Sequence, residues 1–332
     1  MKFLVVGLGS MGKRRIRNLN ALGHKKIAGY DPRLDRREEA FKKYNITSYD
    51  NYENALSEFN PDILIISTSP SLHMDYAMPA ANMNLHCFIE ASVVDAGKIQ
   101  ELSKQLATNK RTVISPSCTM RYHPFPVIIR DLLEKKYIGE PLSFSYLTGQ
   151  YLPDWHPWED INEFYVSNRK TGGAREIVPF ELTWLNEIFG DPVPVGCIKD
   201  KLSNIDADID DIYLLMLRYP KNILASIVIE VLSRPTATRE IQIIGTHGKI
   251  SYSSADEFVK YIKVGDEKWN EVTLDHGTIE PGYVNPEEPY INEMKDFLNA
   301  VNKSDRFVFP NTLEKDVNIL KLLTNLEELS IK

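Results

Sequence analysis

The sequence predicts a two-domain α/β protein: a doubly wound parallel sheet, then an α/β domain built on a mostly antiparallel sheet. Three observations carry that prediction. From residue 2 to about 115, short β-branched runs alternate with amphipathic stretches, the pattern of βαβ units. After Pro116 the alternation stops. Residues 193 to 264 then carry successive strand candidates parted by turn residues, as antiparallel sheets do.

In chain order, strands are expected at 2–6, 25–30, 62–67, 86–90 and 111–115. Helices fit between them at Met11–Leu22, Arg33–Tyr44, Tyr52–Phe59, His73–Met83 and Asp95–Asn109, each with apolar residues recurring every three or four positions. The crossovers must be right-handed. A helix over 124–136, a strand over 141–150 and the aromatic loop LPDWHPWEDINEFYV follow, and helices over 288–303 and 312–330 close the chain. The boundary is expected near 118, giving domains 1–118 and 119–332, with a C-terminal helix packing back on the first.

Composition bounds the function. At 332 residues with 43% hydrophobic and 26% charged, the chain is long enough for two cores. Its net charge of -7 is spread along mixed acidic and basic residues, so no basic face is expected and nucleic acid is excluded as a partner. Cys87, Cys118 and Cys197 lack paired spacing, which fits a reducing cytoplasm and neither a disulfide framework nor a CxxC metal site. No His/Cys/Asp/Glu group has metal-ligand spacing. The first apolar stretch lacks the features of a secretory signal, and no run reaches the roughly 18 apolar residues of a membrane span.

Gly7, Gly9 and Gly12 form GxGxxG directly after the strand KFLVV and at the start of a helix, the context a Rossmann dinucleotide site requires. Gly7 permits the tight turn and Gly9 lets the backbone approach a pyrophosphate. Gly12 allows close helix packing, while Ser10 and Met11 open the helix whose N-terminus faces the anion. Asp31 ends the second strand about 20 residues on, where a carboxylate accepts hydrogen bonds from ribose hydroxyls and repels a 2′-phosphate. NAD is therefore expected as cofactor and NADP disfavoured, although Arg33, Arg36 and Arg37 follow closely and suit a phosphate.

The sequence resembles the Gfo/Idh/MocA oxidoreductase family over essentially the whole chain. The likeness rests on GLGSMGKRRIRNL, on STSPSLH at 67–73 and RYHP at 121–124, and on Gly172–Gly173 and GTHGKI at 245–250. It implies a Rossmann domain, a second domain with an open sheet, and a substrate lying between them over the nicotinamide. It also implies redox chemistry at a ring carbon of a sugar, polyol or sugar nucleotide. Thr68, His73 and Glu90 are expected to line the cofactor pocket. Two departures stand out. The family's EKP motif corresponds to Glu90, Ala91 and Ser92, without the lysine, and its GGxxxDxxxH helix has Ile177 for the Asp and Glu181 for the His.

Alcohol oxidation needs a group to take the hydroxyl proton, and a carboxylate or imidazole tuned toward neutral pKa serves. Glu181 is the first candidate, with a salt-bridge role beside Arg175 or Arg121 as the alternative. Glu176, five residues before it, points about 140° away on the same helix and suits the helix start. His156 is the second catalytic candidate. It lies between Trp155 and Trp158, which suit stacking on a sugar or nucleotide ring or a structural aromatic loop at a subunit contact. Arg121, Tyr122 and Arg175 are candidate substrate ligands, hinge packing being the other reading for the first two.

The function expected is a cytoplasmic NAD(P)-dependent oxidoreductase acting on a sugar, in its narrower form a nucleotide-linked sugar of polysaccharide or sialic-acid-like sugar biosynthesis. The alternative is an NAD- and sugar-binding sensor or accessory subunit without turnover. A homo-oligomer, dimer or tetramer, is expected because residues 211 to 232 supply apolar strands that one sheet face alone does not bury.

Overall fold

The computed structural model describes residues 1–108, 111–155, 160–163, 165–283 and 285–330. They form two compact units: Met1–Tyr122 with Gly277–Asn318, and His123–His276 with Ile319–Lys332.

The first unit begins β1 (Phe3–Val6), α1 (Ser10–Ala21), β2 (Ile27–Tyr30), α2 (Leu34–Tyr44), β3 (Thr47–Tyr49) and α3 (Tyr52–Asn54). It continues β4 (Ile63–Ile66), α4 (His73–Asn82), β5 (His86–Ile89), α5 (Ala96–Thr108) and β6 (Ile114–Pro116). Among the described residues these strands make one sheet of order β3-β2-β1-β4-β5-β6, parallel throughout. Strands β1 and β4 are buried along their whole length because both sheet faces are covered, which explains why they read as continuous apolar runs. Strand order reverses between β1 and β4, and in open α/β sheets the crevice at such a reversal is where ligands bind.

Two local departures from expectation have simple causes. Strand β3 is only three residues long, too short for a periodicity to show in the sequence. The helix expected over 52–59 divides. Asn51 caps one α-turn through Asn54 N–H at 2.9 Å, then Ala55–Phe59 widen into a π-turn that stops at left-handed Asn60.

The second unit contains α6 (Pro124–Glu134), β7 (Pro141–Gly149), α7 (Ala174–Phe189), β8 (Val193–Asp200), β9 (Ile212–Arg218) and β10 (Leu224–Glu230). After these come β11 (Thr238–Gly245), β12 (Gly248–Ser253), β13 (Phe258–Lys263) and β14 (Asn270–Thr273). The sheet runs β14-β13-β12-β11-β7-β10-β9-β8. Every described pairing is antiparallel except β7 with β10. Helix α7 covers one face, stacking Phe189 on Phe144 at 4.3 Å between ring centroids and setting Trp184 edge-on to Tyr146 at 5.5 Å. On the other face Ile198, Leu214, Met216 and Leu224 alternate with these core residues and stay 37–53% exposed.

The chain then returns with α8 (Glu288–Lys303) and α9 (Leu313–Glu328); α9 counts with the first unit through Asn318 and with the second from Ile319. Helix α8 completes the first unit's core, placing Met294 and Phe297 among Phe3, Val5, Ile63, Ile65 and Phe88. Burying each such side chain contributes about 1.5–3 kcal/mol.

Candidate dinucleotide site and the carboxylates around it

The three glycines answer to different constraints. Gly7 has φ +92°, and a Cβ there would stand 2.7 Å from the Ser67 carbonyl oxygen. Gly12 is tighter still, since its Cβ would fall 1.8 Å from the Gly7 carbonyl oxygen. The fold itself demands both. Gly9 is different: its φ is -68° and the nearest atom to a Cβ would be Arg36 Nη1 at an ordinary 3.5 Å. It precedes Ser10 and Met11 at the start of α1, where no side chain caps the helix. A bare helix N-terminus with room above it fits the pyrophosphate of a dinucleotide.

Asp31 closes the far side of this turn and is 2% exposed. Its Oδ2 accepts the Leu8 N–H at 2.8 Å and its Oδ1 the Arg33 N–H at 2.9 Å. Each oxygen keeps a lone pair for a ribose hydroxyl. Arg36 Nη1 lies 3.6 Å from Oδ2.

On the opposite side, at the carboxyl ends of β4 and β5, Ser67, Thr68, His73 and Glu90 come together. His73 Nε2–H donates to the Thr68 carbonyl at 3.1 Å and leaves Nδ1 buried without a partner. Burial pulls its pKa down to about 4, so the imidazole is neutral at physiological pH. Glu90 accepts Arg15 Nε–H at 2.7 Å and Nη2–H at 2.9 Å, with Ser67 Oγ donating at 3.3 Å.

Arg15 itself has no exposed side-chain surface and also meets Glu293 at 2.9 Å. Glu293, likewise fully buried, accepts from Ser117 Oγ, Cys118 N–H and Thr119 Oγ1 and so ties the segment after β6 to α8. Burial works against the guanidinium charge, but Glu90 and Glu293 outweigh it and raise the Arg15 pKa above its ordinary value. Sequence reasoning missed Arg15 and Glu293. The signal was present, because Arg15 falls on the Gly12–Ile16–Leu19 stripe that α1 buries, and a charge on a buried stripe needs a buried partner.

In the second unit Glu181 has no exposed surface. Tyr146 Oη donates to it at 2.6 Å and Trp184 Nε1 at 2.7 Å, while Arg239 Nη2 pairs with its other oxygen at 2.6 Å. These three donors fix α7 to β7 and β11 through one buried carboxylate. Arg175 turns instead to Glu327, with Nε at 2.7 Å, and Tyr213 Oη joins the same carboxylate at 2.9 Å. Glu176 is a contrast: Tyr165 Oη donates to one oxygen at 2.6 Å, and the other is buried without a partner. Burial pushes its carboxyl up to about 7, only partly opposed by the tyrosine hydrogen bond.

The remaining candidates separate. Tyr122 belongs to the first unit and donates to Asp296 at 2.9 Å, with the Arg121 guanidinium 5.9 Å from its ring centroid. Trp155 Nε1 donates to the Gln150 carbonyl at 3.3 Å. His156 and Trp158 lie outside the described residues. Among the described residues no group of His, Cys, Asp and Glu is arranged to hold a metal ion.

Two family models match successive parts of the chain. Residues 1–116 match the model of the oxidoreductase family with NAD-binding Rossmann fold, and residues 127–251 match that of the GFO/IDH/MocA C-terminal domain. The chain belongs to the Gfo/Idh/MocA oxidoreductase family. Inositol 2-dehydrogenase of Salmonella paratyphi B is 26% identical over 173 residues, half of this chain and 52% of that protein. The chain thus matches about half the length of this curated relative.

Solved structures share the fold over nearly the full chain. An Agrobacterium radiobacter oxidoreductase in complex with NAD+, L-tartaric acid and magnesium superposes with TM-score 0.84 at 13% identity, covering 99% of this chain and 96% of that one. Myo-inositol 2-dehydrogenase from Lactobacillus plantarum gives 0.81 at 16%, covering 99% and 97%. A levoglucosan dehydrogenase in complex with NADH gives 0.81 at 17%, covering 99% and 98%. No described helix is long and apolar enough to cross a membrane.

Proposed function

We propose that the protein is a cytoplasmic NAD(H)-dependent oxidoreductase that interconverts an alcohol and a carbonyl on a sugar or polyol. Gly9 carries the reading. Nothing in the fold forbids a side chain there, so the space it leaves above the helix start is explained by a ligand and not by the turn. The dehydrogenase relatives support the sugar or polyol class, and the nucleotide-linked sugar is its narrower form.

The nicotinamide supplies the hydride acceptor or donor when bound. Gly9, Ser10 and Met11 would hold the pyrophosphate and Asp31 the adenosine ribose, while Thr68, His73 and Glu90 would line the nicotinamide end. The proton-carrying role suits Glu176 better than Glu181. Glu181 is already engaged by three donors that tie it to the sheet, whereas Glu176 has a buried oxygen with no described partner and a pKa near the working pH.

The test pairs binding with turnover. NADH affinity by fluorescence should fall at least about tenfold in Gly9→Ala while the melting temperature stays put. Absorbance of the nicotinamide is then followed with free sugars, polyols, sugar phosphates and nucleotide sugars. Turnover that Glu176→Gln abolishes, with NADH affinity kept, supports the assignment. Binding without turnover on any substrate points to an accessory subunit, as Ala91 in place of the family lysine would favour. Failure to bind NADH ends the reading.

A further inference from the structure

Three arginines follow Asp31, and the structure separates them. Arg33 forks onto Asp35 through Nε at 3.1 Å and Nη2 at 2.6 Å, both side chains more than half exposed. Arg37 spends Nη1 on the carbonyls of Asp31 and Pro32, at 2.8 and 2.9 Å, and so braces the turn that carries Asp31. Arg36 alone of the three lies against the glycine turn. Its Nη1 is 3.5 Å from where a Gly9 Cβ would be and 3.6 Å from Asp31 Oδ2. It therefore flanks both the glycine that a pyrophosphate would approach and the carboxylate that a ribose would meet.

This arrangement changes what Asp31 does to an anion. Its two oxygens already accept the N–H groups of Leu8 and Arg33, and the Arg36 cation stands beside them, so the net charge at the ribose end is close to zero. A lone carboxylate at this position repels a 2′-phosphate. A carboxylate balanced by an adjacent guanidinium does not, and that guanidinium offers a planar fork matched to phosphate oxygens. The ribose hydroxyls of NAD still find the lone pairs Asp31 keeps.

Resting on the dinucleotide reading above, we infer that the site accepts NADP(H) as well as NAD(H), with Arg36 as the residue that admits the 2′-phosphate. The side chain is 28% exposed and Ala40 is the residue α2 buries, so replacing Arg36 removes no core side chain.

Dissociation constants of NADH and NADPH are measured on the full chain by fluorescence, and those of 5′-AMP and 2′,5′-ADP by calorimetry. In the wild type the two dinucleotides should bind within about tenfold of each other. Arg36→Ala should weaken NADPH and 2′,5′-ADP at least about tenfold and NADH and 5′-AMP less than about threefold. The inference is overturned if the wild type binds NADPH more than about a hundredfold weaker than NADH, or if Arg36→Ala weakens both alike. In either case NADH binding leaves the oxidoreductase reading standing. If neither dinucleotide binds, that reading falls first.

Discussion

Arg15 grips Glu90 with two nitrogens, Nε at 2.7 Å and Nη2 at 2.9 Å, while its third nitrogen stands 2.9 Å from Glu293. One cation thus holds two carboxylates in the interior of the first unit, one on β5's carboxyl edge and one on α8. Arg15→Met strands both charges, and breaking a buried pair in this way costs about 3–5 kcal/mol. Urea unfolding of the variant should show a loss of that size. Arg15→Lys should recover only part of it, because an ammonium cannot make the parallel pair. A loss below about 1 kcal/mol in Arg15→Met would show the network to be incidental.

Glu181 should report on stability and not on the cofactor. Glu181→Gln breaks the pair with Arg239, and a double-mutant cycle with Arg239→Met should return a coupling of about 1–3 kcal/mol. NADH affinity should be unchanged in all three variants. A selective change in that affinity with stability intact would return Glu181 to the list of ligand-facing groups.

Two buried carboxyls give the protein a pH signature. Burial raises Glu176 from 4.5 to about 7 and Asp316 from 3.8 to about 7, a hydrogen bond from Ser92 opposing it in the latter. Both folded values lie above the unfolded ones, so the folded state binds more protons between about pH 4 and 7. Stability therefore falls as pH rises through that window. Asp316→Asn and Glu176→Gln should each match the wild type near pH 4 and exceed it at pH 8, by at most about 4 kcal/mol for the first and about 3 kcal/mol for the second. Thermal melts across that range decide it, and equal pH slopes in wild type and variants would contradict the assignment.

The open face of the second unit's sheet should pair with a second copy of the chain. Register places Leu147, Val228, Leu214 and Ile198 in one row across four strands, with Met216 in the next row of that face and Leu224 in the one after. A row of exposed and half-buried apolar side chains spanning four strands is unusual on a monomer, and a two-fold contact would cover it with its own likeness. Sedimentation should give a dimer or larger assembly that Met216→Glu weakens. A monomer at tens of micromolar would rule this out.

Much of the fold was legible because its signals are local and periodic. The strands at β1 and β4 are apolar runs of the right length, and GxGxxG sits where strand meets helix, so the first sheet and its ligand edge follow from reading along the chain. The site was less legible because its partners are distant in sequence. Arg15 finds Glu293 beyond all the strands of the second unit, and Glu181 finds Arg239 on the fourth strand after it, past the neighbours Arg175 and Arg121 that spacing suggested. Two pieces failed for local reasons: β3, at three residues, is too brief to show a period, and β14, with the sequence NEVT, has one apolar residue and no run to read. The difference between Glu176 and Glu181 lies in the donors that tertiary packing brings to each oxygen, which leave no trace in spacing.

The first unit is written in two instalments. Its sheet is finished by Pro116, yet Glu293, Met294 and Phe297, which seal its interior, are encoded only after the second unit's last strand. On the ribosome, therefore, the half that emerges first must wait, with Phe3, Phe88 and the Arg15 charge uncovered, until every strand of the second unit has been synthesised. A chain stopped at residue 276 would carry every glycine of the nucleotide turn and still lack the helix that closes the core beneath it.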